Sequence, residues 1–69
     1  MDPEACLTIA DQAVSDLDAK AAHDALRNYW QWRAKGGFEP NHRAAGKRGD
    51  EFARNIEQRL ETLEYHQRH

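Results

Sequence analysis

Residues 2–37 read DPEACLTIADQAVSDLDAKAAHDALRNYWQWRAKGG, and how many helices this stretch makes decides the fold. Asp2 suits an N-cap, Pro3 suits the first helical position, and Glu4 sits at the positive end of the helix dipole. From there to Lys35 the stretch holds neither proline nor glycine and is rich in alanine, the best helix former. The stop is Ala34-Lys35-Gly36-Gly37, a cation in the last turn with glycine just past it. The pattern predicts one helix over about residues 3–35, about 50 Å long at the standard rise. Leu7, Ala10, Val14, Leu17, Ala21, Ala25, Tyr29 and Trp32 recur at steps of three and four and mark one apolar face. Ile9, Leu26 and Trp30 fall beside or behind it and point to a second buried surface.

Downstream, residues 36–49 hold four glycines, Pro40 and Asn41, a loop composition with room for one short turn capped by Asn41. A second helix is expected over about residues 50–66. Asp50 would be its N-cap, and Phe52, Ala53, Ile56, Leu60 and Leu63 its apolar face. The expected fold is all-α: a single-domain, two-helix antiparallel hairpin spanning residues 1–69. Because the first helix would be about twice as long as the second, its N-terminal half needs another cover. A homodimeric four-helix bundle supplies one, with Leu7, Ala10, Val14, Leu17 and Ala21 as the dimer seam.

Size points the same way. A chain of 69 residues buries only about 60% of the surface it exposes when unfolded. Small domains offset this with disulfides, metals or partners. Cys6 is the single cysteine, so no internal disulfide can form. Cys6 is read as a small buried hydrophobe, with an interchain disulfide as the lesser alternative. Mean hydropathy is −1.04, and no apolar run approaches the roughly 20 residues of a membrane helix. The acidic start lacks the basic region of a signal peptide. A cytoplasmic protein without membrane contact is expected.

The net charge of −2 hides a strong asymmetry. Residues 1–24 carry six acids and one base (−5), residues 25–49 six bases and one acid (+5), and residues 50–69 five acids and three bases (−2). Such a chain pairs its halves across an antiparallel dimer, offers its basic middle to an acidic partner, or simply keeps a solvated face.

The residues most suggestive of function lie in that middle. Tyr29, Trp30 and Trp32, with Phe38 nearby, are flanked by Arg27 and Arg33. Consecutive helical positions point about 100° apart, so the three rings cannot share one stripe. Tyr29 and Trp32 fit a small aromatic core closed by Phe38 and Phe52, whereas Trp30 fits an interface, where Trp, Tyr and Arg dominate binding energy. Arg43, Lys47 and Arg48 form a basic loop of the kind that contacts phosphate. The pI near 6.0, however, is far below that of a dedicated nucleic-acid module. The histidines His23, His42, His66 and His69 read as solvated. No metal, cofactor or catalytic constellation is recognisable.

The expected function is therefore non-enzymatic protein binding by an adaptor, inhibitor or regulator of a larger protein. In kind, though not in sequence, it resembles the small accessory proteins of phages and mobile elements. Its partner surface is assigned to Tyr29, Trp30, Arg33, Phe38, Arg43, Lys47 and Arg48. The alternative is a nucleic-acid-binding regulator that uses the basic 27–48 segment, in architectural analogy with a small dimeric RNA-binding protein of plasmids.

Overall fold

The computed structural model describes residues 2–42 and 45–68, so the expected basic residue Arg43 lies outside the described residues. The chain forms α1 (Pro3–Ser15), α2 (Ala19–Ala34), a two-stranded antiparallel ribbon of β1 (Asn41–His42) and β2 (Lys47–Arg48), and α3 (Gly49–Arg68). Asn41 pairs with Arg48 and His42 with Lys47. This corrects the two-helix hairpin. The long first helix is two helices, residues 36–49 include a β-ribbon, and the last helix begins at Gly49.

The break in the first helix comes at Asp16-Leu17-Asp18. The Leu17 amide donates to the Val14 carbonyl (3.0 Å) and the Asp18 amide to the Ala13 carbonyl (2.8 Å), the paired bonds of a Schellman stop. Leu17 takes the left-handed position that glycine usually fills, with φ +61°. The Asp18 carboxylate then accepts the Ala21 amide (3.1 Å) and caps α2. Asp18 thus closes one helix and opens the next. The same stop recurs at the end of α2, where Gly36, φ +93°, donates to Arg33 (3.1 Å) and Gly37 to Trp32 (2.9 Å).

Folding α2 back on α1 covers the apolar ridge from within. Leu7, Ala10, Ala13 and Val14 of α1 pack with Ala22, Ala25, Leu26 and Tyr29 of α2 and with Phe52, Ala53, Ile56 and Leu60 of α3. Leu7 and Ala10 have no exposed surface and Val14 only 7%. These residues are therefore core, and no four-helix dimer is needed to shelter them. Of the expected seam, Ala21 is half-buried and Leu17 stands 66% exposed on the turn. The reason for the correction is geometric: a tight reversal lets residues 3–15 find their cover in residues 19–34.

Two further contacts tie the ends together. Arg59 of α3 pairs with Asp11 of α1. His42, expected to be solvated, is buried against Phe52, with ring centroids 4.6 Å apart. The Ala45 amide donates to His42 Nδ1 (3.2 Å), which assigns the hydrogen to Nε2 facing Thr8 Oγ1 (2.9 Å). The Thr8 hydroxyl donates onward to the Glu4 carbonyl (3.1 Å). The ribbon is thereby anchored to α1.

Among the described residues no helix is long and apolar enough to cross a membrane.

Candidate functional site

The expected partner-binding set is divided by the structure into four places. Tyr29 and Arg33 belong to a half-buried clasp. One turn apart on α2, they face the first turn of α3. The Tyr29 hydroxyl donates to Asp50 Oδ1 (2.6 Å), and Arg33 grips the same carboxylate with Nε on Oδ1 and Nη2 on Oδ2, both at 2.9 Å. Arg33 Nη1 also donates to the Gly37 carbonyl (2.6 Å), and Glu39 lies 3.8 Å from Arg33 Nη2. The two-pronged guanidinium contact is the geometry arginine provides and lysine does not. It holds the Asp50 carboxyl at about 2, well below the usual carboxylate range. Glu39 is pushed up, chiefly because its carboxyl shares a hydrogen bond with the Asp50 carboxylate. Burial, then the bond to Asp50, raises the Tyr29 phenol.

Both Asp50 oxygens are thus occupied, and Tyr29 has no exposed surface. This side-chain cluster fastens α2 to α3 rather than presenting a reactive group. Gly49 lets the clasp close: a Cβ there would stand 2.6 Å from the Tyr29 hydroxyl and 2.8 Å from the Pro40 ring.

Phe38 stands in the second place, on the loop after α2. It is 66% exposed and edge-on to Trp32, with centroids 5.8 Å apart and planes at 83°. Lys47 and Arg48 mark the third, a polar hollow of about 400 Å³ between β2 and α3. Arg54, Asn55 and Gln58 also line it, but Glu39 and Glu51 stand among the cations and offset them.

Trp30 occupies the fourth place, the groove between α2 and α3. The two helices run antiparallel: Arg33 meets Asp50 at one end, and at the other His23 Nε2 lies 2.8 Å from Glu64 Oε1. Between these ties the Trp30 indole N–H donates to Glu57, and its ring stands edge-on to Tyr29 at 5.1 Å. The groove encloses about 400 Å³. Leu26 and Leu60 form its floor, both nearly fully buried, and Trp30 is half-buried in its wall. Arg27 and His23 line the α2 side; Glu57, Glu61 and Glu64 line the α3 side.

Sequence reasoning missed the parts played by five residues. Glu57, Glu61 and Glu64 recur at steps of four and three, a spacing that marks one face of α3 and was legible. The Asp50 clasp carried no such sign, because an acid in a first turn reads equally well as a cap. His42 lies among turn residues, where no periodicity speaks for burial.

Among the described residues no group of three or more His, Cys, Asp or Glu side chains is placed to hold a metal ion. Cys6 is half-buried, and burial pushes its thiol above the ordinary value, away from nucleophilic use. No protein-family model, no curated protein and no solved structure matches the chain.

Proposed function

We propose that this chain is a non-enzymatic protein-binding module, an adaptor, inhibitor or regulator of a larger protein, and that it binds through the α2–α3 groove. The observation that supports this reading is the position of Trp30. Its indole is packed on one edge by Tyr29 and fixed by Glu57, yet it remains half-open to solvent in the wall of a groove with an apolar floor. A hydrogen-bonded, partly exposed tryptophan in the wall of a concave groove matches the anchors that dominate binding energy at interfaces.

The test is to recover the tagged 69-residue chain, and a Trp30→Ala variant of it, from the cells that make it. The wild type should retain a stoichiometric partner that the variant loses while circular dichroism shows the variant folded. An identical set of recovered proteins would defeat the proposal.

The hollow lined by Lys47, Arg48 and Arg54 favours a second reading, nucleic-acid binding. It has less support, because Arg33 is committed to Asp50 and two glutamates share the hollow. Phosphate binding would show as steep loss of DNA or RNA retention with rising salt.

A further inference from the structure

We infer that the occupant of the α2–α3 groove is a single amphipathic α-helix of another protein, carrying lysine or arginine beside its apolar ridge. The inference rests on the protein-binding reading and adds the chemistry of the partner.

The first argument is shape. The backbone measures 38 × 24 × 15 Å, and its short axis holds two layers of helix with axes about 8–10 Å apart, α1 forming one layer and α2 with α3 the other. α1 packs on both other helices, which leaves the pair α2 and α3 with an open trough between them. A trough between two antiparallel helices, floored by Leu26 and Leu60, takes the ridge of a further helix.

Charge supplies the second argument. Glu57, Glu61 and Glu64 form one continuous acidic row along the α3 wall, against a single guanidinium, Arg27, on the α2 wall. Glu57 gives one oxygen to the Trp30 indole and Glu64 one to His23. Among the described residues Glu61 makes no hydrogen bond or ion pair. The trough therefore carries excess negative charge with unfilled acceptor capacity, which attracts a cationic flank and repels acidic helices and phosphate backbones.

Trp30 is the third. Its indole, half-open to solvent and bonded to the Glu57 carboxylate, sets an aromatic ring beside a negative charge, a pairing that favours lysine or arginine over a neutral group.

The test titrates the full chain with two synthetic helical peptides of about five turns, roughly 18 residues. One carries a leucine ridge flanked by lysines, the other the same ridge flanked by glutamates. The lysine peptide should shift the NMR resonances of the Trp30 indole, Leu26, Leu60 and Glu61, and bind at least about tenfold more tightly than the glutamate peptide. Glu61→Lys should weaken it about tenfold, whereas Glu4→Lys, the same charge change on α1, should leave it unchanged. Equal binding of the two peptides, tighter binding of the glutamate peptide, shifts centred on Lys47 and Arg48, or no binding of either would each overturn the inference. A cellular partner that Trp30→Ala still abolishes would, in those cases, leave the protein-binding reading standing and reject only the cationic helix.

Discussion

Replacing Asp50 by asparagine tests the clasp that joins α2 to α3. The amide keeps an oxygen for the Tyr29 hydroxyl but turns an N–H₂ donor toward Arg33, so the two-pronged ion pair is lost. The size of the loss follows from the Asp50 carboxyl, held at about 2 against an ordinary value of 3.8. At about 1.36 kcal/mol per pH unit, that difference corresponds to roughly 2.4 kcal/mol. Screening by the water that still reaches the pair lowers this to about 1–2 kcal/mol. The sign is fixed by the direction: a carboxyl held below its unfolded value adds stability that is fully present above about pH 4 and is lost as pH falls toward 2. Urea unfolding followed by circular dichroism should therefore show Asp50→Asn about 1–2 kcal/mol less stable than wild type near neutrality. The gap should close as the acid limb is reached, with equal denaturant slopes for the two proteins. A gap that is absent at neutral pH, or that persists undiminished at the acid end, refutes the assignment of Asp50 as an ionised anchor.

Glu39→Gln should raise the urea midpoint near neutral pH. The fold holds the Glu39 proton more tightly than the unfolded chain does, so its ionised form is disfavoured above that range; the gain should vanish in acid, where glutamate is already neutral. Gly49→Ala sets two rules against each other. Alanine in a helix is worth about 0.5–1 kcal/mol over glycine, but here its methyl would press on the Tyr29 hydroxyl and the Pro40 ring. Overpacking costs typically about 1–3 kcal/mol, so the thermal midpoint should fall, and a rise would show that the contact relaxes freely. Leu17→Asp should change stability by no more than about 0.5 kcal/mol and leave the sedimentation coefficient unchanged, because Leu17 is an exposed turn residue in a conformation aspartate tolerates. Dissociation or unfolding of that variant would reinstate Leu17 in a seam between chains.

Much of the fold was readable where local chemistry is unambiguous. Asp2 accepts the amides of Glu4 (3.0 Å) and Ala5 (3.3 Å), as an N-cap before Pro3 should. Gly36 ends α2, and the row Phe52, Ala53, Ile56 and Leu60 faces the core. The missed break has an identifiable cause. The two Schellman stops have matching bonds, but one uses Gly36 and the other Leu17, and a leucine at the left-handed position is invisible to any rule that looks for glycine. The steps of three and four also continue smoothly across the break, since Val14 and Ala21 face the same interior from two helices instead of one. For the site, residue type singled out Trp30, and the structure places it in a groove. The same reasoning gave Tyr29 two assignments, an aromatic core and the partner surface, because sequence cannot show that Asp50 will be waiting for its hydroxyl. The short ribbon was unreadable for a simpler reason: with only two residues in each strand, no alternation can register.

The double duty of Asp18 has a consequence for how this chain tolerates change in length. Its amide terminates α1 and its carboxylate starts α2, so the reversal contains no slack. One inserted residue must sacrifice either the terminating bond or the cap, or else rotate α2 by about 100° about its axis, swinging Leu26 and Tyr29 off the interior. Lengthening at this corner would therefore be felt about three to four turns away, where Tyr29 and Arg33 would no longer arrive opposite Asp50.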